Sequence, residues 1–335
     1  MAIKRMRSRK AIFFTLMSLL MITLLIVTFQ TRDYITLVNR VPVVENRVET
    51  ANDYVKTLQT RYIERSIYTS GYIALGEYIE YLDNQGEFPS NYNELNTEIS
   101  ELMINGTIGG GPILNENNLN NLLSNITNLA DESLKVDTQY SIGNSLIYQS
   151  EETGPWRVGM RVGVNFTVNA SASVWNVSRN ITSMISIVGF NDTYFSLNTK
   201  DISPDVDRLI IPTNYTSWNL GRLTTHIDLG TYNYDNKSPN YISRLLNQTN
   251  PSNCCGIDSF INQNPGFNKS GELPKDYLNT TFIDYCYFGD AAGHDCDNVF
   301  HVTDIENASF PFRINPYLYA KYNISGLDIT KLYPD

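Results

Sequence analysis

The sequence predicts an α+β protein in which an N-terminal apolar helix continues into a long amphipathic helix packed on an antiparallel β-sheet domain, followed by a disulfide-held C-terminal region. Three patterns support this class: a charge-free run at residues 11–29, a helical apolar stripe beyond it, and strict two-residue alternation near mid-chain. The expected segments are a basic leader (1–10), a membrane anchor (11–31), a stalk or packing helix (32–84), an α+β ectodomain (85–200) and a β-rich, cysteine-containing region (201–335).

The run at residues 11–29 is nineteen residues long and carries no charge. At about 1.5 Å per helical residue it just covers a hydrocarbon core about 30 Å thick. Five basic residues precede it: Lys4, Arg5, Arg7, Arg9 and Lys10. They place the N-terminus in the cytoplasm, so the remainder is expected to be extracellular after a single membrane pass. A cleaved secretory signal is the alternative, although the run exceeds the usual length of a signal peptide's apolar region.

The charge balance excludes some partners. The chain of 335 residues has a net charge of −10, and five of its 25 basic residues lie in the leader, which leaves 20 basic against 35 acidic residues. Nucleic acid is therefore not an expected partner, because its binding rests on Lys and Arg neutralising phosphates. Docking on anionic lipid is disfavoured for the same reason. The expected surface is solvated and acidic, and no cofactor is predicted.

Asn-x-Ser/Thr sequons are more than twice as frequent as the composition alone predicts. They lie at Asn105, Asn125, Asn165, Asn169, Asn176, Asn180, Asn191, Asn214, Asn236, Asn247, Asn268, Asn279, Asn307 and Asn323. A glycosylated asparagine must lie at the surface of an exported protein, because the sugar cannot be buried. The alternative is an Asn- and Tyr-rich composition without glycosylation.

Four clustered cysteines predict two disulfides in an exported chain: Cys254, Cys255, Cys286 and Cys296. Because neighbouring cysteines seldom bridge each other, Cys254 and Cys255 are each expected to pair with Cys286 or Cys296. A zinc site including His294 is an alternative, although the spacing lacks the C-x2-C pairs of structural zinc sites. Free thiols are the third possibility.

The first part of the ectodomain is predicted to be helical. Arg32 to Asn84 is expected to form one long helix, with Pro42 near its start. Its apolar stripe comprises Val41, Val44, Val48, Ala51, Val55, Leu58 and Tyr62, followed by Ile67, Gly71, Leu75, Tyr78 and Leu82. Shorter helices are expected at Tyr92 to Met103 and Asn117 to Asp137, separated by a loop from Asn105 to Pro112.

The clearest β-signal lies between Tyr140 and Phe190. Trp156 to Val168 alternates strictly between apolar and polar or small residues, which is typical of a half-buried strand. A turn at Ala170 to Ser173 leads to a return strand whose inward residues are Trp175, Val177, Ile181, Ile185 and Ile187. The sequons Asn165, Asn169, Asn176 and Asn180 have the outward parity, which predicts a sugar-bearing sheet face in water.

Farther along, strands are expected at Leu209 to Ile211, Thr224 to Leu229 and Tyr285 to Phe288. A short helix is predicted from Asn240 to Leu246, and His301 to Tyr322 is expected to be β-rich. A soft domain boundary falls near Asp201.

No established catalytic motif is present in the sequence. Gly109 to Gly111 lacks a following lysine and predicts a flexible loop, and His226 is interpreted as a structural strand residue. Three carboxylates, Asp290, Asp295 and Asp297, are oxygen ligands suited to calcium. Their segment departs from the EF-hand loop and is better interpreted as a solvated disulfide loop, so we assign no metal site and no catalytic residue.

The N-terminus resembles that of type IV pilins and minor pilins. The resemblance is carried by Arg9-Lys10-Ala11, Phe14-Thr15-Leu16 and the helix running on through Pro42, with Leu16 where that family usually has Glu and Ala11 where it usually has Gly. It implies leader cleavage and assembly of copies into a filament.

Most of the chain also resembles a group of uncharacterised archaeal membrane-anchored surface proteins. This resemblance is carried by Ser70 to Leu75 with Glu77-Tyr78-Ile79, Trp156, Ile187 to Phe190, and Gly256 to Ser259. It implies an anchored ectodomain and adds no activity.

The sequence thus predicts a non-enzymatic cell-surface glycoprotein, an envelope or adhesion component whose partners are the membrane and other envelope proteins or copies of itself. A pilin-like filament subunit and an exported hydrolase with a site near Asp290 to Asp297 are the alternatives.

Overall fold

The computed structural model describes residues 17–26, 46–170, 173–199, 208–261, 282–288, 300–302, 312–314, 316–323 and 329–331. The protein is a mixed helix and sheet structure with antiparallel sheets, which confirms the predicted α+β class.

The helices of the described ranges follow in chain order. Residues 17–26 are helical, and they are followed by α1 (residues 46–57), a π-helical turn (Leu58–Tyr62), α2 (Ile63–Gln85), α3 (Tyr92–Asn105), α4 (Leu119–Leu134), α5 (Thr193–Thr199), α6 (Leu220–Leu229), α7 (Tyr241–Leu245), α8 (Asp284–Phe288) and α9 (Pro316–Lys321).

The described strands form two three-stranded sheets and three two-stranded ones. They are β1 (Thr107–Ile108), β2 (Gly111–Pro112), β3 (Asp137–Tyr148), β4 (Arg157–Asn169), β5 (Val174–Ser186), β6 (Asn233–Tyr234), β7 (Ile257–Asp258), β8 (Phe260–Ile261), β9 (Phe282–Ile283), β10 (Phe300–Val302), β11 (Phe312–Ile314) and β12 (Ile329–Lys331). The two three-stranded sheets have the orders β3-β4-β5 and β11-β10-β12, and β1-β2, β6-β7 and β8-β9 are antiparallel pairs.

The chain divides into two compact units. The first comprises Met1–Gln59, Thr127–Gln139 and Phe166–Asn176, and the second comprises Thr60–Ile126, Tyr140–Asn165 and Val177–Asp335. Within the first unit, Ala51 and Val55 are buried, and the Thr138 hydroxyl donates to the Tyr54 hydroxyl over 3.3 Å. The second unit holds every cluster described below.

The predicted membrane segment is described only at residues 17–26, which are helical and expose their large apolar side chains. In the part of the chain that the structure describes, no helix combines the length and the apolar character that crossing a membrane requires. Residues 1–16 and 27–45, with Pro42 and the start of the predicted stalk, lie outside the described residues.

The predicted long helix is confirmed from residue 46 onward, with one correction. Leu58 and Ile63 are each 1% exposed, whereas Tyr62, predicted to lie on the buried stripe, is 43% exposed. The π-helical turn between them explains the difference, because it spaces equivalent positions five residues apart instead of four. Beyond the turn every predicted stripe residue is buried: Ile67, Gly71, Leu75, Tyr78 and Leu82.

The loop predicted from Asn105 to Pro112 is instead a tight β1-β2 hairpin. The backbone N–H groups of Gly109 and Gly110 donate to the carboxylate of Glu101 over 3.1 and 3.0 Å. The Thr107 hydroxyl donates to the same carboxylate over 2.6 Å. Glu101 therefore fixes a turn whose two glycines both have positive φ, a conformation that costs glycine little.

The alternation prediction is confirmed for β4 and only in part for β5: Trp156 precedes β4, and the predicted inward residues Trp175, Val177 and Ile181 of β5 are half-buried. The inward residues of β4 are all buried: Val158, Met160, Val162, Val164, Phe166 and Val168. On the return strand Ile185 and the following Ile187 are buried, and the backbone N–H of Ala170 donates to the carbonyl of Ser173 at the predicted turn over 3.0 Å.

Two predicted strands are helices. Thr224 to Leu229 belongs to α6, which begins after the N-cap Asn219, ends before Gly230 at φ 59°, and buries Leu223, His226 and Ile227 at helical spacing. Tyr285 to Phe288 belongs to α8, whose residues from Asp284 to Tyr287 are all buried. Wholly buried short segments carry no periodicity that distinguishes helix from strand.

Elsewhere the outcomes are mixed. The α3, α4 and α7 predictions are confirmed within a few residues. Leu209 forms only an isolated bridge with Asn191, and the closing segment contains α9 between its strands. The soft boundary at Asp201 lies outside the described residues.

Two glycines of α2 provide a matched packing test. A Cβ at Gly71 would lie 2.5 Å from Met160 Sδ and 2.6 Å from Ile185 Cδ1, whereas one at Gly76 would meet Phe190 Cε1 at 3.4 Å. Gly71→Ala must displace two buried side chains and should lower the free energy of unfolding by about 1–3 kcal/mol. Gly76→Ala should be neutral or stabilise by up to about 1 kcal/mol, because alanine favours the helix. Urea unfolding measures both, and equal stability of the two variants would contradict this packing.

Candidate functional site

A fully buried arginine forms the centre of the second unit. The guanidinium of Arg244 in α7 pairs with Asp192, where Nε lies 3.2 Å from Oδ1 and Nη2 contacts Oδ2, and with Asp284, where Nη2 lies 2.8 Å from Oδ2. Its side chain and both carboxylates are at most 1% exposed. We call these three residues the Arg244 cluster.

Local structure positions each carboxylate. Asp192 precedes α5, and its carbonyl accepts from the N–H groups of Phe195 and Ser196 over 2.9 and 3.0 Å. Asp284 is the first residue of α8, and its Oδ1 accepts from the N–H of Tyr285 over 2.7 Å. The Arg244 cluster therefore joins the starts of two helices to α7.

Hydrogen bonds complete the Arg244 cluster. The Tyr232 hydroxyl donates to Asp192 Oδ2 over 2.6 Å, and the N–H of Ser259 donates to Asp284 Oδ2 over 3.2 Å. Burial alone lowers the pKa of Arg244, but Asp192 and Asp284 outweigh it and hold that pKa well above its ordinary value. Burial raises the pKa of Asp284, against the opposing effect of Arg244.

A second cluster surrounds Lys321 at the end of α9. Its ammonium lies 2.5 Å from Asp235 Oδ2 and 3.2 Å from Asp258 Oδ2. The Ser238 hydroxyl donates to Asp258 Oδ2 over 2.9 Å, and the Tyr317 hydroxyl donates to Asp235 Oδ1 over 3.0 Å. Burial raises the pKa of Asp258 to about 6, with the Lys321 charge acting in the opposite direction. We call these residues the Lys321 cluster.

His226 lies on α6 and faces the same interior. Its Nδ1 lies 2.5 Å from Thr231 Oγ1, its Nε2 is buried with no hydrogen-bond partner among the described residues, and the rings of Trp218 and Phe260 pack against it. Burial lowers its pKa to about 3, so the imidazole is neutral at pH 7. The imidazole of this pair is thus buried against aromatic rings, while Thr231 is half-buried.

Both clusters are ion-pair networks; in the Lys321 cluster the lysine side chain is 16% exposed, and Asp258 Oδ1 is buried with no hydrogen-bond partner among the described residues. Within the described ranges, no three His, Cys, Asp or Glu side chains are grouped so as to hold a metal ion. The calcium candidates Asp290, Asp295 and Asp297, with His294, lie outside the described residues. Sequence reasoning missed Asp192, Arg244, Asp284 and Lys321, since isolated charged residues in short segments form no recognisable pattern.

The expected cysteine pairing is wrong for Cys254 and Cys255, whose Sγ atoms lie at disulfide distance from each other. They occupy a turn at residues 253–255, and the following Gly256 approaches the 235–238 segment so closely that a Cβ there would clash with the carbonyl oxygens of Asp235 and Ser238. This turn brings the two side chains together. Cys286 is buried and also disulfide-bonded, and Cys296 lies outside the described residues.

The outer face of the central sheet carries the predicted sequons. Asn165 and Asn169 on β4 and Asn176 and Asn180 on β5 are all exposed, as the alternation predicts. Exposed sequon asparagines elsewhere are Asn105, Asn125, Asn214, Asn236, Asn247 and Asn323, while Asn268, Asn279 and Asn307 lie outside the described residues.

Asn191 is the exception among the described sequon asparagines. It is partly buried, its amide nitrogen donates to Asp83 Oδ2 over 3.1 Å, and its amide oxygen accepts from the N–H of Arg208 over 2.8 Å. The nitrogen that would carry a sugar is thus engaged inside the fold.

No family model matches this chain, and no curated protein or solved structure matches it. The resemblances to pilins and to archaeal surface proteins remain predictions.

Removing the buried cation should destabilise the fold strongly. Arg244→Met keeps much of the side-chain volume but leaves two buried carboxylates uncompensated, so we expect a loss of about 3–5 kcal/mol in unfolding free energy. The exposed Arg179→Met should change it by less than about 0.5 kcal/mol. Urea unfolding followed by circular dichroism measures both. Adding Asp192→Asn and Asp284→Asn to Arg244→Met should recover part of the loss, and no recovery would argue against charge as its cause.

The dependence of unfolding free energy on pH should distinguish the contribution of His226 from that of Asp258. His226 has a folded pKa of about 3 against an ordinary 6.5, so the unfolded chain takes up its proton first and stability falls as the pH drops through that interval. Asp258 has a folded pKa of about 6 against 3.8, so its contribution is present at low pH and is lost as the pH rises through that interval.

Between about pH 6 and about pH 4, His226→Gln should therefore lose less stability than the parent, and Asp258→Asn should lose more. The exposed Asp131→Asn should follow the parent. Urea midpoints across this range provide the measurement, and parallel curves for all four proteins would rule out these assignments.

Proposed function

We propose that this chain is a non-enzymatic, single-pass cell-surface glycoprotein, an envelope or adhesion component. Residues 11–31 anchor it, its N-terminus is cytoplasmic and its remaining chain is extracellular. The membrane and other envelope proteins or copies of itself are its partners.

The observation that carries this proposal is the exposure of the sequon asparagines. All of those described are exposed except Asn191, and four of them follow one outward sheet face at two-residue parity. Most described asparagines outside sequons are exposed as well, but two of them, Asn118 and Asn233, are buried, and no described sequon asparagine is. A surface that presents its sequons to solvent is what glycosylation requires.

The anchor part of the proposal rests on composition. The charge-free run, the cations before it and the acidic balance after it favour one membrane pass in a fixed orientation. The filament alternative shares the anchor and differs in whether the leader is removed.

Mass spectrometry of the native membrane-fraction protein tests both parts. We expect an intact leader and sugars on Asn165 and Asn180, which are exposed on the sheet; the Asn165 amide nitrogen donates to the exposed Ser141 hydroxyl over 3.3 Å. Asn191 should be unmodified because it is partly buried and both ends of its amide are hydrogen-bonded within the fold, which makes its peptide an internal control.

A new N-terminus at Ala11 or Ile12 would overturn the intact anchor in favour of the pilin-like filament subunit. Bare asparagines at both Asn165 and Asn180 would overturn the glycoprotein assignment.

A further inference from the structure

One exposed face of the long helix combines cations and aromatic rings. Arg61 lies in the π-helical turn, and Arg65, Tyr68 and Tyr72 follow at spacings of four, three and four residues, so all four project from one side. All are exposed, and the rings of Tyr68 and Tyr72 stack at 6.3 Å with an interplanar angle of 16°. We call these four residues the Arg–Tyr face.

The core explains only part of this face: the Tyr72 ring packs against Phe190 at 4.9 Å, whereas no core contact of this kind is made by Arg61, Arg65 or Tyr68 among the described ring pairs. The buried stripe of the same helix runs through Ile63 and Ile67, and the two tyrosine side chains are 43% and 42% exposed. The π-helical turn determines how the residues before it and those after it are oriented around the helix axis. Such turns occur frequently at functional sites.

The Arg–Tyr face borders a concave site. A cavity of about 420 Å³ lies between this helix and β5, lined by Arg61, Glu64, Arg65 and Tyr68 on the helix and by Thr182 and Ser183 on the strand. That volume matches a small ligand, and Thr60 and Met184 complete a lining in which polar and charged groups lie beside apolar surface from Tyr68 and Met184. A third cation approaches from β4, where Arg161 Nε lies 3.5 Å from the Thr182 hydroxyl.

The charges of the site remain available to a ligand. No described carboxylate lies within 4.0 Å of the guanidinium of Arg61 or Arg65, in a chain whose net charge is −10. In an acidic protein, unpaired neighbouring guanidiniums create a local positive potential suited to a carboxylate or sulfate.

We propose that the Arg–Tyr face and its cavity bind an acidic carbohydrate. The guanidiniums of Arg61 and Arg65 pair with the acid group, the Tyr68 ring packs against the apolar face of the sugar ring, and Glu64 and Thr182 bind its hydroxyl groups. This proposal names the class of ligand that the proposed cell-surface role would involve. The site is built from the described residues, so a failure to bind acidic carbohydrate would leave the results on the leader and on glycosylation unchanged.

A sugar fits these observations better than a lipid surface does. Glu64 lies between the two arginines and opposes a sheet of anionic headgroups, while it can accept from sugar hydroxyls. The stacked tyrosines offer a flat face with polar tips, which suits an amphipathic ring.

The test uses the full-length chain in an uncharged detergent, titrated calorimetrically with three length-matched oligosaccharides: one containing uronic acid, one sulfated and one neutral. At least one acidic probe should bind about tenfold more tightly than the neutral one. Raising the salt from about 50 mM to about 500 mM should weaken that binding, because the site is exposed and its charges are screened. Which acidic probe binds identifies the source of the negative charge.

Variants assign the binding to this face. The double variant Arg61→Gln with Arg65→Gln should weaken binding of the acidic probe about tenfold or more and abolish its salt dependence. Tyr68→Ala should weaken it several-fold, and Tyr68→Phe should not, because the ring is retained. Arg47→Gln, an exposed arginine of α1, is the matched control and should bind like the parent. Thermal unfolding verifies that each variant is folded.

Three results would overturn the proposal: equal binding of neutral and acidic probes, unchanged binding by the double arginine variant, or no binding of any sugar. Binding of anionic lipid vesicles without sugar binding would replace it with a membrane-docking surface.

Discussion

The charge of Arg244 must be compensated where it lies. A guanidinium does not give up its proton in proteins, and its side chain has no access to solvent. Two carboxylates from distant parts of the chain supply the compensation: Asp192 immediately precedes α5, and Asp284 is the first residue of α8. The starts of these two helices and the last turn of α7 are therefore fixed around one planar group. The neighbouring strands are joined to it through the carbonyl of Ile257 and the N–H of Ser259.

Such a network acts on geometry more than on net stability. Replacing a buried ion pair by apolar side chains is often neutral or stabilising, whereas removing one partner is costly. The short elements of this region have little else to set their register, since strands such as β7 and β8 contain two residues each. Hydrogen bonds and ion pairs to Arg244 and Lys321 are directional, so they allow only one arrangement of each segment. Nonspecific burial of apolar side chains would allow several.

The parts of the fold that the sequence predicts are those with a long repeating pattern. Val158 to Val168 alternates over enough residues to identify both the strand and its outward sequons, and Ile67 to Leu82 repeats over enough turns to identify the helix. Two kinds of feature escaped prediction. A π-helical turn moves the apolar stripe to a different side of the helix without leaving a signal in the sequence. The sequence pattern therefore predicts that Tyr62 is buried, although it is exposed. Short segments buried on all sides, such as α8, have no exposed polar face. Their sequence therefore does not show whether the apolar residues repeat with the period of a helix or of a strand.

The same network changes how the charge of the whole protein is understood. The Arg244 cluster holds one cation against two carboxylates, and Lys321 likewise faces Asp235 and Asp258, so both interior clusters use up cations and still carry an excess of acid. Arg208 is also enclosed, with its guanidinium 4.7 Å from the centre of the Phe195 ring. Because basic residues are fewer than acidic ones and Arg244, Lys321 and Arg208 are engaged in the interior, the basic residues at the surface determine where an anion can approach. The guanidiniums of Arg61 and Arg65 form no ion pair with a described carboxylate and lie beside the stacked rings of Tyr68 and Tyr72. They therefore create a local positive potential on a protein whose net charge is negative, which is a local reversal of sign. This reversal is the physical basis for assigning the ligand site to the long helix and not to the buried clusters.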